Sequence, residues 1–245
     1  MAVVAIIPAR YASTRFPGKP LALILGKPMI RRVYERARRC RALDRVVVAT
    51  DDERIREAVT SFGGEVVLTR ADHPSGTDRL AEAAQLLGLQ EDDLVVNIQG
   101  DEPDVTPDMI EALIAEATRP PAPPMATLAF PSNSPEEYMD PNVVKVVRDA
   151  HGNALYFSRS PIPHRRDKGS GPTSFLKHLG MYAYRKKFLC RFTRLAPTAL
   201  EQMEKLEQLR ALEHGFTIRV GLSPCETVGV DTPEDLKRLE DRLGA

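Results

Sequence analysis

The chain has 245 residues with 34 acids balanced by 34 Lys and Arg, so its formal net charge is zero. That balance excludes a dedicated nucleic-acid binder, which carries a clear basic excess; any polyanion site must be a local concentration of charge. Hydrophobic content of 42% and charged content of 28% are those of one large globular domain with a sizeable core. The three cysteines (Cys40, Cys190, Cys225) form no C-x-x-C pair and point to a reducing compartment rather than a zinc or redox motif. A strand beginning at residue 3 leaves no room for a signal peptide, and no apolar run reaches the ~18 residues of a membrane span. The expectation is a cytoplasmic protein without stable membrane association.

In chain order, Val3-Val4-Ala5-Ile6-Ile7 reads as a buried parallel strand. It opens into a long loop, Pro8 to Pro20, that holds Arg10, Arg15 and Lys19 among small, hydroxyl, Gly and Pro residues. Pro28 to Arg39 has helical character, and its arginine run is read as a solvated face. Arg45 to Thr50 is a second strand, after which Asp51-Asp52 offers N-cap chemistry for a helix over Glu53 to Phe62. Gly63-Gly64 closes that helix, and Glu65 to Leu68 is a third strand. A helix from Gly76 to Leu87 ends at Gly88, and Leu94 to Ile98 is a fourth strand. The next helix, Pro107 to Ala117, takes Thr106 as its cap. This order predicts an α/β fold, a three-layer sandwich around a mostly parallel central sheet.

The middle of the chain changes character. Pro120 to Pro124 reads as a stiff connector. Strands are predicted over 125–130, 143–148, 154–157 and 179–184, with a mobile loop over 162–174. Leu200 to Leu212 has the periodicity of one helix. Val228 to Asp231 resembles a strand ending in an acid, and Thr232-Pro233-Glu234-Asp235 starts a last helix by cap, proline and acid together.

In an open α/β sheet, ligands bind beyond the carboxyl ends of the strands. The first loop lies there, and its three cations and backbone N–H groups suit a triphosphate. It carries neither G-x-G-x-x-G nor G-x-x-x-x-G-K-[ST], because Pro20 stands where the latter needs Ser or Thr. The fourth strand runs into Gln99-Gly100-Asp101-Glu102-Pro103 at the same edge. Asp101 there suits a magnesium ion held by one or two carboxylates plus substrate phosphates, and Asp231 could share the metal. Each acid could instead flank a helix, but Thr106 is the better cap of the helix after Asp101. Ser75, Gly76 and Thr77 would present N–H groups from a helix start. His73 could be a base, but a lone loop His is more often a hydrogen-bonding residue; Arg79 opposes the helix dipole, which hints at a role beyond helix stability.

These segments together resemble the 3-deoxy-manno-octulosonate cytidylyltransferase (CMP-Kdo synthetase) family over nearly the whole length. The resemblance rests on Pro8–Leu21, Arg70–Arg79, Asn97–Pro103, Ala154–Arg159, Lys177–Gly180, Leu206–Arg210 and Val230–Leu236. It implies a nucleotide-diphospho-sugar transferase (Rossmann-like) fold, one cytidylyltransferase domain over 1–245 with about 125–200 as a sugar-binding and dimerisation subdomain, and a homodimer. It also implies Mg²⁺ as cofactor, and CTP and the acidic sugar Kdo as substrates, giving CMP-Kdo and pyrophosphate for lipopolysaccharide synthesis. Pro8, Ala9, Arg10, Ser13, Arg15, Lys19, Ser75, Gly76 and Gln99 would bind the nucleotide. Arg79, Gln99, Arg159, His178, Tyr182, Tyr184, Glu207 and Gln208 would bind the sugar. Asp101 and Asp231 would hold metal, with Lys19 and Arg15 stabilising the leaving pyrophosphate. The rival readings are a cytidylyltransferase for 8-amino-Kdo or sialic acid, and a non-catalytic nucleotide-binding regulator, which has no need of the complete set of acids and cations.

Overall fold

The computed structural model describes residues 1–12, 16–166, 174–227, 229–230 and 232–244. The chain forms two compact units. One comprises 1–111, 185–193 and 227–245; the other comprises 112–184 and 194–226.

The first unit is the α/β part read from the sequence. Strand β1 (Val3–Ala9) is followed by a two-residue hairpin, β2 (Leu23–Ile24) and β3 (Lys27–Pro28), and helix α1 (Met29–Ala37). Then come β4 (Arg45–Thr50), α2 (Glu53–Ser61), β5 (Glu65–Leu68), α3 (Gly76–Leu86), β6 (Leu94–Asn97) and α4 (Pro107–Thr118), which continues into the second unit. β1 lies between β6 and β4, and β4 pairs β5, all in parallel. Val4 to Ile7 and Val46 to Ala49 are almost wholly buried, as strands covered on both faces must be. The cap expected at Asp51-Asp52 forms, with Asp52 accepting from the Arg54 N–H, and Ser75 caps α3 by accepting from the Asp78 N–H.

The second unit starts with β7 (Met125–Ser132), α5 (Pro135–Met139), β8 (Lys145–Arg148), β9 (Ala154–Ser158) and β10 (Phe175–Arg185). Helix α6 (Lys186–Phe192) returns to the first unit and packs on α3. Helices α7 (Ala199–Glu204) and α8 (Gln208–Glu213) and strand β11 (Ile218–Leu222) complete the second unit. β7 pairs β11 in parallel and β10 antiparallel; β10 pairs β8, and β8 pairs β9, both antiparallel. Helix α9 (Pro233–Gly244) closes the first unit, with Leu239 in a buried cluster with Ile24, Met29 and Val230.

The elements differ from expectation in several places, among them the unforeseen β2–β3 hairpin. The single helix expected over 200–212 is two, because Lys205 adopts φ +54° and breaks it after Glu204. The strand expected at 228–231 is not seen among its described residues, and β11 lies upstream at 218–222. Helices α5 and α6 were not foreseen: each is short and lacks a long apolar period. Much of the loop expected over 162–174, namely 167–173, lies outside the described residues.

Candidate active site

The loops at the carboxyl ends of β1 and β6 and the start of α3 enclose a cavity of about 610 Å³ in the first unit. Pro8, Ala9, Arg10, Lys19, Ser75, Gly76 and Gln99 line it, joined by Ala12, Pro20, Pro74, Gly100 and Asp101. Every expected nucleotide residue that is described therefore faces one space. Ser13 and Arg15, the other two, lie outside the described residues.

The cavity is shaped by close backbone approach. A Cβ on Gly100 would stand 2.9 Å from the Pro8 carbonyl oxygen, so only glycine lets the β6 turn pass the end of β1. Gly18 sits at φ +72° against the Tyr11 ring, and its N–H donates to the Tyr11 carbonyl at 2.9 Å. This folds the first loop back so that Lys19 reaches the β6 edge. There the Lys19 ammonium donates to Asp101 Oδ2 at 2.6 Å. The Arg10 guanidinium donates to the carbonyls of His73 and Ser75, both at 2.8 Å. These bonds tie the first loop to the start of α3, where a helix N-terminus favours anions.

A buried layer holds that helix start in place. Arg79, expected at the sugar, is 0% exposed. Its Nη2 lies 2.9 Å from Asp51 Oδ1, and its Nη1 donates to Thr69 Oγ1 at 2.5 Å. It is thus corrected from a ligand-facing cation to a brace between β4, β5 and α3. A buried cation needs such a partner, and that need outweighs the unfavourable dipole. His73 is buried with Nε2 on Glu82, so it serves the loop as the hydrogen-bonding residue expected. The Ser75 hydroxyl accepts from the Asp78 N–H and donates to the Asp78 carboxylate; it is the carbonyl of Ser75 that holds Arg10.

The residues here suit a hard divalent cation. Asp101 lines the cavity with a side chain about one-third exposed. The Val230 N–H donates to the Asp101 carbonyl at 2.9 Å, which brings the residue before Asp231 against Asp101; Asp231 itself lies outside the described residues. Among the described residues no three His, Cys, Asp or Glu converge as a metal cage. One or two carboxylates supplemented by phosphate oxygens is the donor set that magnesium favours. Next to Asp101, Glu102 Oε2 is sealed from solvent with no hydrogen-bond partner. Loss of hydration, and then the Asp101 charge, pushes its carboxyl up to about 8.

The expected sugar residues other than Gln99 and Arg79 lie in the second unit. His178, Tyr182 and Tyr184 form a ladder on β10, with ring centroids 5.5 and 5.8 Å apart, and Phe157 meets His178 edge-on at 5.1 Å. A break in the β10–β7 register between Leu179 and Tyr182 aims this part of the strand out of simple alternation. His178 as a residue is half-buried, but its ring is enclosed by Phe157, Tyr182 and Thr127, and that enclosure pulls its pKa down to about 3. The ring is neutral at physiological pH. Thr127 Oγ1 lies 2.7 Å from the Met181 carbonyl and 3.0 Å from His178 Nε2. Its one proton goes to the carbonyl, so Nε2 donates and Nδ1 is left as the acceptor. Tyr184 is 1% exposed and is corrected to a packing residue beneath Tyr182. Gln208 is buried at the start of α8, and Glu207 lies 3.6 Å from Arg210. Arg159 follows β9 and is half-buried.

Comparison with known proteins settles the family. Residues 4–219 match the family described as Cytidylyltransferase. The chain belongs to the cytidylyltransferase family. A 3-deoxy-manno-octulosonate cytidylyltransferase from Syntrophobacter fumaroxidans is 63% identical, covering 100% of each chain. An 8-amino-3,8-dideoxy-manno-octulosonate cytidylyltransferase from Shewanella frigidimarina is 54% identical, covering 99% of each. Among solved structures, a CMP:2-keto-3-deoxy-manno-octonic acid synthetase complexed with CTP superposes at a TM-score of 0.93, with 44% identity over 100% of this chain and 99% of the other. A 4-diphosphocytidyl-2C-methyl-D-erythritol synthase shares the fold at a TM-score of 0.66 with 14% identity, over 99% of this chain and 98% of the other. The cytidylyltransferase fold is an α/β one, with helices on both sides of mostly parallel strands.

Sequence reading missed the supports of this cytidylyltransferase site. Asp51 reads as a capping residue, yet it is the counter-ion of Arg79. Glu82 lies inside α3, where nothing local marks it as the partner of His73.

Proposed function

We propose that this cytidylyltransferase transfers CMP from CTP to the anomeric hydroxyl of 3-deoxy-D-manno-octulosonate, releasing pyrophosphate. The observation that carries the reading is the full-length 63% identity to a protein of that name, joined to a cavity lined by the expected nucleotide residues. The sugar oxygen forms a bond to the α-phosphorus as the α–β bridging bond breaks; the hydroxyl proton leaves to solvent.

Lys19 and Arg10 would hold the triphosphate and meet the charge that grows on the departing pyrophosphate. The Ser75–Gly76 helix start would present N–H groups to phosphate oxygens, and Gln99 would stand between nucleotide and sugar. Asp101 and Asp231 would hold Mg²⁺, which when bound neutralises phosphate charge and acidifies a coordinated hydroxyl. Arg159 would take the sugar carboxylate. His178, neutral with Nδ1 as acceptor, would receive a sugar hydroxyl, and Tyr182 would pack against the ring. We further place the enzyme in lipopolysaccharide synthesis, in the cytoplasm and as a homodimer. The first is supported by the sugar named for the relatives, and the second accords with the finding that among the described residues no helix is long and apolar enough to cross a membrane. The homodimer follows from the family resemblance.

A second reading, use of the 8-amino sugar, is favoured by relatives of that name at 53–54% identity. Competition decides between them. With CTP, Mg²⁺ and equal amounts of Kdo and its 8-amino analogue, mass spectrometry of the product should find mainly CMP-Kdo. A predominance of the amino product would transfer the assignment to the second reading, and absence of both would overturn the first.

A further inference from the structure

Lys145 is a charged residue inside an apolar run, Val143-Val144-Lys145-Val146-Val147, and its side chain is 0% exposed. Its ammonium donates to three backbone carbonyls: Asp140 at 2.9 Å, Val143 at 2.7 Å and Arg159 at 2.6 Å. An ammonium has three N–H donors, so all are used. All three of its hydrogen bonds go to backbone carbonyls rather than to a carboxylate. A buried cation hydrogen-bonded only to carbonyls, with the Asp140 and Glu204 carboxylates acting on it from longer range, is a costly way to fill a core position that leucine or methionine could fill. What it accomplishes is local: it joins the 140–145 segment to the end of β9.

That junction bears on two candidate sugar residues. The Arg159 carbonyl is held by Lys145. Its N–H donates to Glu204 Oε2 at 2.9 Å, its Nε to the Glu204 carbonyl at 2.7 Å, and its Nη1 to the Pro141 carbonyl at 2.9 Å. Glu204 Oε1 also accepts from the Ser158 hydroxyl at 2.6 Å. Backbone and guanidinium are therefore both fixed, and Pro141 lies in the segment that Lys145 ties down. On the other side, the His178 N–H donates to the Val144 carbonyl at 2.8 Å. Lys145 stands in register between the two, opposite Ser158 of β9 and Lys177 of β10.

We propose that Lys145 and Glu204 are positioning residues for the acidic sugar, setting Arg159 directly and His178 through the 140–145 segment. This rests on the reading that Arg159 takes the sugar carboxylate. A binding constellation needs its groups within ~0.5 Å of the productive geometry, and fixing four groups of one arginine achieves that.

The test is steady-state kinetics of the full-length enzyme carrying Lys145→Met, Arg159→Ala or both, with Glu204→Gln as a second route should Lys145→Met fail to fold. Lys145→Met should raise the sugar KM about tenfold or more while the CTP KM stays within about twofold. In the Arg159→Ala background the same change should add only about twofold to threefold, because the residue it positions directly is gone and only the part acting through His178 remains. Glu204→Gln should show the same split and the same loss of effect without Arg159. Equal rises in both KM values, or an effect that persists in full without Arg159, would overturn the proposal and leave Lys145 a stability residue. An unchanged sugar KM in Arg159→Ala alone would instead overturn the sugar assignment of Arg159, and the proposal with it.

Discussion

Each unit holds its own group of candidate residues, and the two groups are built by different means. In the first, the cavity is made of backbone and short loops: Gly100 against Pro8, Gly18 against Tyr11, and Arg10 on two carbonyls. In the second, the candidate sugar residues are side chains on strands and helix ends, Arg159 after β9, His178 and Tyr182 on β10, and Glu207 before α8. A triphosphate is a fixed shape that N–H groups and cations meet generically. A sugar is discriminated by side chains placed one by one, and these need buried supports such as Lys145 and Glu204.

The largest expected effects lie in the first unit. Asp101→Asn should lower kcat by about 1,000-fold or more with the melting temperature unchanged, since the side chain is partly exposed and its loss costs chemistry rather than packing. Lys19→Met should cost about 100-fold in kcat/KM for CTP. Near-wild-type turnover in either would break the distinction between the units. In the second unit, His178→Asn should raise the sugar KM roughly tenfold and leave the CTP KM near its wild-type value; a matched rise in both would show that the division of labour is wrong. Gly100→Ala should destabilise the protein by about 1–3 kcal/mol, read as a lower urea midpoint, because its Cβ meets the Pro8 carbonyl.

The smallest effects are pH slopes of opposite sign. Glu102 is raised in the folded state, to about 8 from a usual carboxyl. The unfolded chain releases this proton first, so stability is full below about 4.5 and lost as pH climbs toward 8. His178 is lowered, to about 3. Here the unfolded chain binds the proton first, so stability is full above about 6.5 and lost as pH falls toward 3. Urea melts across pH should find Glu102→Gln flattening the alkaline loss and His178→Asn the acid loss, each on the order of 1 kcal/mol or more. A variant that leaves its slope unaltered would remove that group from the account.

Legibility in the sequence followed the same division. Strands β4 and β5 stand at their predicted residues, and Asp52 and Thr232 cap as read, because these signals are local. The described residues expected at the nucleotide line one cavity for the same reason: they sit in contiguous loops at strand ends. The break at Lys205 was not, since a left-handed lysine is set by tertiary packing rather than propensity. Nor was the burial of Arg79 on Asp51 or of Tyr184 under Tyr182, because a partner distant in sequence leaves no periodic trace. Lys145 did leave a trace, a lone charge in an apolar strand, but its meaning needed the three carbonyls around it.

The most direct measurement is pyrophosphate release from CTP and Mg²⁺ with Kdo, run beside N-acetylneuraminate and a no-sugar control. The account predicts release that depends on Kdo, one pyrophosphate for each CMP-sugar formed. Tight binding of CTP with no release for any acidic sugar would contradict it, leaving a nucleotide-binding cavity without the transfer chemistry assigned to it.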